Sequence, residues 1–108
     1  MTVETEFRSG YLVIRLAGEL DHHEAKSLWR ELENVMDRYL PTDCALDLSG
    51  VSFMDSSGIA ILLRLYKRLQ ATGGRVCVLD PPIQPGKVLA AAGLERLIPT
   101  KHTREVIK

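Results

Sequence analysis

Two long runs of apolar residues at three- and four-residue spacing constrain this chain most, because each lies between short strand-like segments. The first run, Ala25, Leu28, Trp29, Leu32, Val35, Met36 and Tyr39, marks one face of a helix of about 18 residues. Asp21-His22-His23-Glu24 reads as its start. The Asp21 carboxylate can accept an orphan backbone N–H, and Glu24 can reach back as in a capping box. Pro41 ends it. The second helix is expected over 56–71, with Ile59, Leu62, Leu63, Tyr66 and Leu69 as its apolar face and Gly73-Gly74 as a left-handed C-terminal cap.

Strand-like segments separate these helices. Residues 2–7 alternate and read as an edge strand. Ser9-Gly10 is turn chemistry, and residues 11–17 are dense in β-branched and apolar types, which is a strand pattern. Residues 44–48 and 75–79 read as short buried strands. Residues 49–55 read as a loop, unusually apolar through Val51, Phe53 and Met54. Asp80 to Gly86 reads as a second loop with three prolines. A short helix over 87–92, a brief strand at Leu97-Ile98 and a terminal helical turn over 103–108 complete the series. This predicts an α/β fold with a small mixed sheet of four to five strands and about four helices, in one domain over 1–108.

Composition narrows the function by exclusion. Lys plus Arg (14) equals Asp plus Glu (14), so there is no electrostatic footprint for nucleic acid or an anionic membrane. No apolar run reaches the roughly 18 residues of a spanning helix, and Met1 to Glu6 does not read as a signal peptide. Cys44 and Cys77 sit singly in apolar segments, where buried free thiols are expected. The expected setting is the cytosol.

The segment with chemical promise is Asp55-Ser56-Ser57-Gly58. It stands at a helix start, where unpaired N–H groups and a partial positive charge favour an anion, including a phosphate made in place. On spacing alone, capping by Asp55, Ser56 and Ser57 is the favoured explanation. Two serines and an aspartate exceed what one cap requires, however. Val51, Phe53 and Met54 are expected to form an apolar rim at the helix mouth, which a partner could cover.

Other chemistries fit poorly. A serine hydrolase would need Gly-x-Ser-x-Gly, which is absent, and the three histidines, His22, His23 and His102, have no spacing that suggests a triad. A metal site at His22, His23 and Glu24 is disfavoured because adjacent helical side chains point about 100° apart and should diverge. No glycine-rich loop opens a helix to cradle a phosphate.

Several segments together resemble the STAS-domain family: Gly18-Glu19-Leu20-Asp21-His22-His23, the run from Leu46 to Ile59 through Phe53-Met54-Asp55-Ser56-Ser57-Gly58, Leu65-Tyr66-Lys67, and Gly93-Leu94. Within it the similarity is to bacterial anti-sigma factor antagonists, especially those of the sporulation pathway, and it spans nearly the whole chain. The resemblance implies a small mixed sheet with helices mainly on one side. It implies that Ser56, not Ser57, is phosphorylated, and that the kinase is the partner itself, an anti-sigma factor. The unphosphorylated chain would bind this factor and free the sigma factor. A serine phosphatase would reset the phosphorylated form. ATP and Mg²⁺ would belong to the kinase, leaving this chain without a cofactor. The implied partner-binding residues are Asp21, Phe53, Met54, Asp55, Ser56, Ser57 and Gly58, on a monomer or weak dimer.

The resemblance breaks at Pro81-Pro82 and Pro85-Gly86, which make the loop before the third helix stiffer than the family's usual run. The departure bears on which anti-sigma factor is recognised. Two other readings compete with the switch: a constitutive STAS subunit of a larger sensory assembly, with Ser56 only a cap, and a small hydrolase using Ser56.

Overall fold

A computed structural model describes residues 1–103 of the chain. The sheet contains β1 (Thr2–Arg8), β2 (Tyr11–Leu20), β3 (Asp43–Met54), β4 (Arg75–Leu79) and β5 (Thr100–Lys101), ordered as in the sequence. β1 and β2 pair antiparallel across Ser9-Gly10, where both residues take positive φ (51° and 82°). β2, β3, β4 and β5 are mutually parallel. Parallel neighbours need crossovers. These are α1 (His22–Tyr39), α2 (Ser56–Gln70) and α3 (Ile83–Ala92), with a 3-10 turn at Leu94–Arg96 after α3.

Burial alternates along β2: Leu12, Ile14, Leu16 and Leu20 are buried, while Tyr11, Arg15, Ala17 and Glu19 are exposed. One sheet face therefore carries the core. Leu28, Leu32 and Met36 of α1, Leu62, Leu65 and Leu69 of α2, and Leu89 of α3 close on it. Each such buried side chain contributes about 1.5–3 kcal/mol. Among the described residues no helix is long and apolar enough to cross a membrane.

Asp21 caps α1 as expected, accepting the N–H groups of His23 and Glu24 at 3.1 Å each. The reciprocal half of the capping box does not form, because the Glu24 carboxylate turns to the Met1 amino group 3.9 Å away. The α2 face is wider than the spacing implied. Ile61 and Leu65 are fully inside alongside Leu62 and Leu69, while Ile59, Leu63 and Tyr66 pack partly against the core. α2 touches β3, β4, α1 and α3, so no single stripe serves it.

The largest correction concerns 49–55. Residues 49–54 are not a loop: β3 runs on to Met54 beside Gly18, Glu19 and Leu20, and only Asp55 stands between strand and helix. Pairing passes from Arg15↔Asp47 to Glu19↔Phe53, four steps on β2 against six on β3, so β3 carries the extra residues of β-bulges. At the first bulge the Ser49 N–H turns to the Asp47 carboxylate at 2.9 Å. A Cβ on Gly50 would stand 2.9 Å from both the Ala17 Cβ and the Leu16 carbonyl oxygen, so only glycine fits. The bulges reset the strand's parity, which puts Leu46, Leu48, Val51 and Met54 all inside.

Three later expectations shift. α3 begins at Ile83 rather than Lys87, since a proline in the first turn forfeits no intrahelical bond. Leu97-Ile98 is not a strand. The chain coils after the 3-10 turn, Ile98 plugs the core, and the last strand is Thr100–Lys101. Among the described residues there are three α-helices where about four were expected, and the fourth, the turn expected over 103–108, lies from residue 104 on outside the described residues.

Candidate functional site

Leu20 pairs with Met54, and the Asp55 N–H donates to the Leu20 carbonyl at 3.2 Å. β2 and β3 therefore end at one level, and α1 and α2 start side by side at the carboxyl ends of the strands. In open α/β sheets this edge is the usual place for function. The register thus brings Asp21 and Asp55 together, as the shared rim inferred from the sequence requires.

Asp55 holds both helix starts. Its Oδ1 accepts the Ser57 N–H at 2.8 Å, and its Oδ2 accepts the His22 N–H at 3.2 Å. Partial desolvation pushes its pKa up. The N–H and hydroxyl of Ser57, the His22 N–H and the His22 ring outweigh that, and the carboxyl sits below its ordinary value. The site is ionised and preset before any partner arrives.

The two serines differ. Ser56 is exposed on the first turn of α2, whereas Ser57 is half-buried with N–H and hydroxyl both engaged by Asp55. Capping is done by Asp55, so Ser56 is spared that duty. A phosphate on Ser56 would meet the positive end of α2.

The expected apolar rim is largely inside. Val51 and Met54 are 1% and 0% exposed, and only Phe53, at 42%, presents its ring to solvent. Parity explains this, since the bulged strand turns Val51 and Met54 to the core. Met54 therefore supports the site from below and does not offer its side chain to a partner. Gly58 is buried too. A Cβ there would lie 2.5 Å from Met54 Cγ and Sδ and 3.2 Å from Leu20 Cδ2, so this glycine lets α2 settle onto the strand ends. The imidazoles of His22 and His23 do not diverge: their centroids are 4.0 Å apart. In the first turn no preceding turn restricts the rotamers.

Two features were not read from the sequence. A groove of about 480 Å³ runs between α1 and α2 from His22 and Ser57 past Lys26, Trp29 and Arg30 to Arg64, with Glu33 also on its wall. The Arg64 guanidinium lies 5.5 Å over the Trp29 ring, a cation–π contact that joins α1 to α2 along the groove. The helical pattern counts Trp29 with the apolar face of α1 and Arg64 with the wet side of α2, but Trp29 is only half-buried, at the margin of the core, and local spacing does not show that the two meet. The second is Gln84 of α3. Its Oε1 accepts the Met54 N–H and its Nε2 donates to the Met54 carbonyl, both at 2.8 Å. No local signal marks Gln84, because its partner is 30 residues away.

The STAS domain model matches residues 2–107. The "Anti-sigma F factor antagonist" of Paenibacillus polymyxa is 34% identical over 92% of this chain and 85% of its own length. The solved structure of the anti-sigma factor antagonist SpoIIAA in its unphosphorylated form superposes with a TM-score of 0.79 at 30% identity, covering 98% of this chain and 93% of that one. The Bacillus cell fate determinant SpoIIAA in the phosphorylated form gives 0.72 at 30% identity, covering 98% and 96%. In sequence and fold alike the chain is similar to anti-sigma factor antagonists along nearly all of its length, and it belongs to the STAS-domain family.

Proposed function

We propose that this chain is an anti-sigma factor antagonist switched by phosphorylation of Ser56. The unphosphorylated form binds an anti-sigma factor with serine-kinase activity, and the sigma factor is released. Phosphorylation ends the contact, and a serine phosphatase restores it. The chain is a cytosolic substrate and ligand and not an enzyme. ATP and Mg²⁺ enter with the kinase, and neither nucleic acid nor membrane is a partner. The names of the relatives, and SpoIIAA's having been solved in unphosphorylated and phosphorylated forms, support this reading.

The observation that carries it is the placement of Ser56, exposed and spared from capping beside the carboxylates of Asp21 and Asp55. Modification adds about −1.5 to −2 charges near neutral pH. The helix end accepts this charge, so the fold survives. The rim then holds three anionic groups, which repel acidic partner groups and are costly to bury in a contact. Phe53, Ser57 and the α1–α2 groove extend the same surface. Mass spectrometry after incubation with the anti-sigma factor kinases of the source genome, ATP and Mg²⁺ tests the proposal. Clean modification at another residue, with Ser56 untouched, would sink it.

A further inference from the structure

β3 outruns its neighbour. β4 pairs with it only as far as Asp47↔Leu79, whereas β2 follows it to Met54. On a parallel strand one residue's N–H and C=O point to the same side, alternating along the chain. Asp55 donates toward β2, so Met54 directs both its backbone groups to the opposite edge, beyond the point where β4 has ended. Met54 is fully buried, and unpaired backbone groups there would be costly. The Gln84 amide satisfies both, its Oε1 and Nε2 each 2.8 Å from their partners. A single side chain thus does the work of a strand.

Met54 lies immediately before Asp55 and Ser56, so whatever fixes its backbone fixes the turn that presents the serine. The segment 80–86 has a stiff frame to act from. Pro81 and Pro82 precede α3, Pro85 is buried in its first turn, and the Gly86 N–H donates to the Pro82 carbonyl at 2.8 Å. We propose that Gln84 is the positioning residue of the phosphoacceptor turn: its amide clamps the Met54 backbone where β4 ends and holds Ser56 in the orientation the kinase requires. This rests on the reading of Ser56 as the phosphoacceptor. It assigns the proline-rich departure from the family pattern a task within the switch.

The test compares the wild-type chain with Gln84→Ala and Gln84→Glu. Amide hydrogen exchange by NMR is read at Met54, Ser56 and Ser57, with Leu46 as the core reference. Initial phosphorylation rates are taken with the purified anti-sigma factor kinase, ATP and Mg²⁺. In Q84A, exchange at Met54 should rise about tenfold or more, as loss of a buried hydrogen bond implies, while Leu46 keeps its protection. kcat for Ser56 should fall about tenfold with KM within about twofold, the split expected when orientation and not binding is lost. Q84E should fall between, because its carboxylate accepts from the Met54 N–H but cannot donate to the carbonyl. Unchanged exchange at Met54 in Q84A would overturn the clamp, and so would fast exchange with phosphorylation at the wild-type rate. If Q84A unfolds, Q84E decides alone on the same readings. If the wild-type chain is never modified at Ser56, the functional reading falls, and the clamp is still judged by exchange at Met54.

Discussion

The carboxylate of Asp55 accepts the backbone N–H of His22 at 3.2 Å, joining the starts of two helices across 33 residues of sequence. With its other oxygen it caps α2 at 2.8 Å. Asp55→Ala should therefore cost more than an ordinary cap. About 1–2 kcal/mol is expected for α2 and about 1 kcal/mol for the second bond. Urea unfolding checks this, with Asp55→Asn losing less.

The same residue has a pH signature. Its carboxyl lies below the ordinary value in the folded state, so the unfolded chain binds a proton more readily. The stabilisation is complete above the unfolded value near 3.8, and it fades as pH falls through the lower folded value. Asp55→Asn should flatten the acid side of the stability curve in that window and leave neutral pH dependence unchanged. Thermal melts from pH 2 to 7 read it out.

At Ser56 the prediction separates charge from fold. Ser56→Ala should abolish modification yet bind the anti-sigma factor within about threefold of wild type, since a lost surface hydroxyl is nearly neutral. Ser56→Asp should weaken binding tenfold to a hundredfold, about 1.4–2.8 kcal/mol. Its melting temperature should hold or rise, because a carboxylate at N1 suits the helix dipole. Equal affinities of the two variants, by calorimetry, would refute the charge mechanism.

Gly58 and Met54 should be energetically coupled. Gly58→Ala places a methyl 2.5 Å from the Met54 thioether, an overpacking worth about 1–3 kcal/mol. Met54→Ala alone opens a cavity costing about 2–5 kcal/mol. In the double variant the new methyl has room, so the combined loss should be smaller than the sum. A double-mutant cycle in denaturant measures the difference.

Cys44 should be silent chemically until the protein unfolds. Burial, and then the proximity of Cys77, pushes its thiol from 9.0 up to about 12. The thiolate is the reactive form, so Cys44 should resist alkylation at pH 8 in the native state and react once denatured. Because the folded value is the higher one, its contribution to stability is complete below pH 9 and is lost as pH rises toward 12. Cys44→Ala should soften that alkaline decline.

Much of the fold was legible because the signals are local. The Asp21 cap and the α1 stripe rest on contacts within a turn or on a clean period, and the short apolar runs 44–48 and 75–79 read as buried strands from their composition. β3 beyond Leu48 was not legible. Its inward residues Leu48, Val51 and Met54 are spaced by three, which matches neither a strand nor a turn. Ser49-Gly50 imitates loop chemistry because a bulge needs the same backbone freedom. The start of α3 was hidden by prolines that read as a loop but suit a first turn.

The candidate site divides along the same line. That a helix begins at Asp55-Ser56-Ser57-Gly58, with an aspartate able to cap it, follows from the sequence alone, since a cap spans two or three residues. That Asp55 also holds α1, that Met54 and Gly58 lie beneath the surface, and that Gln84 stands in for an absent strand were decided by tertiary structure. Each depends on which strands end together and on a parity shift in β3. Those are consequences of long-range pairing that no local run of residues encodes.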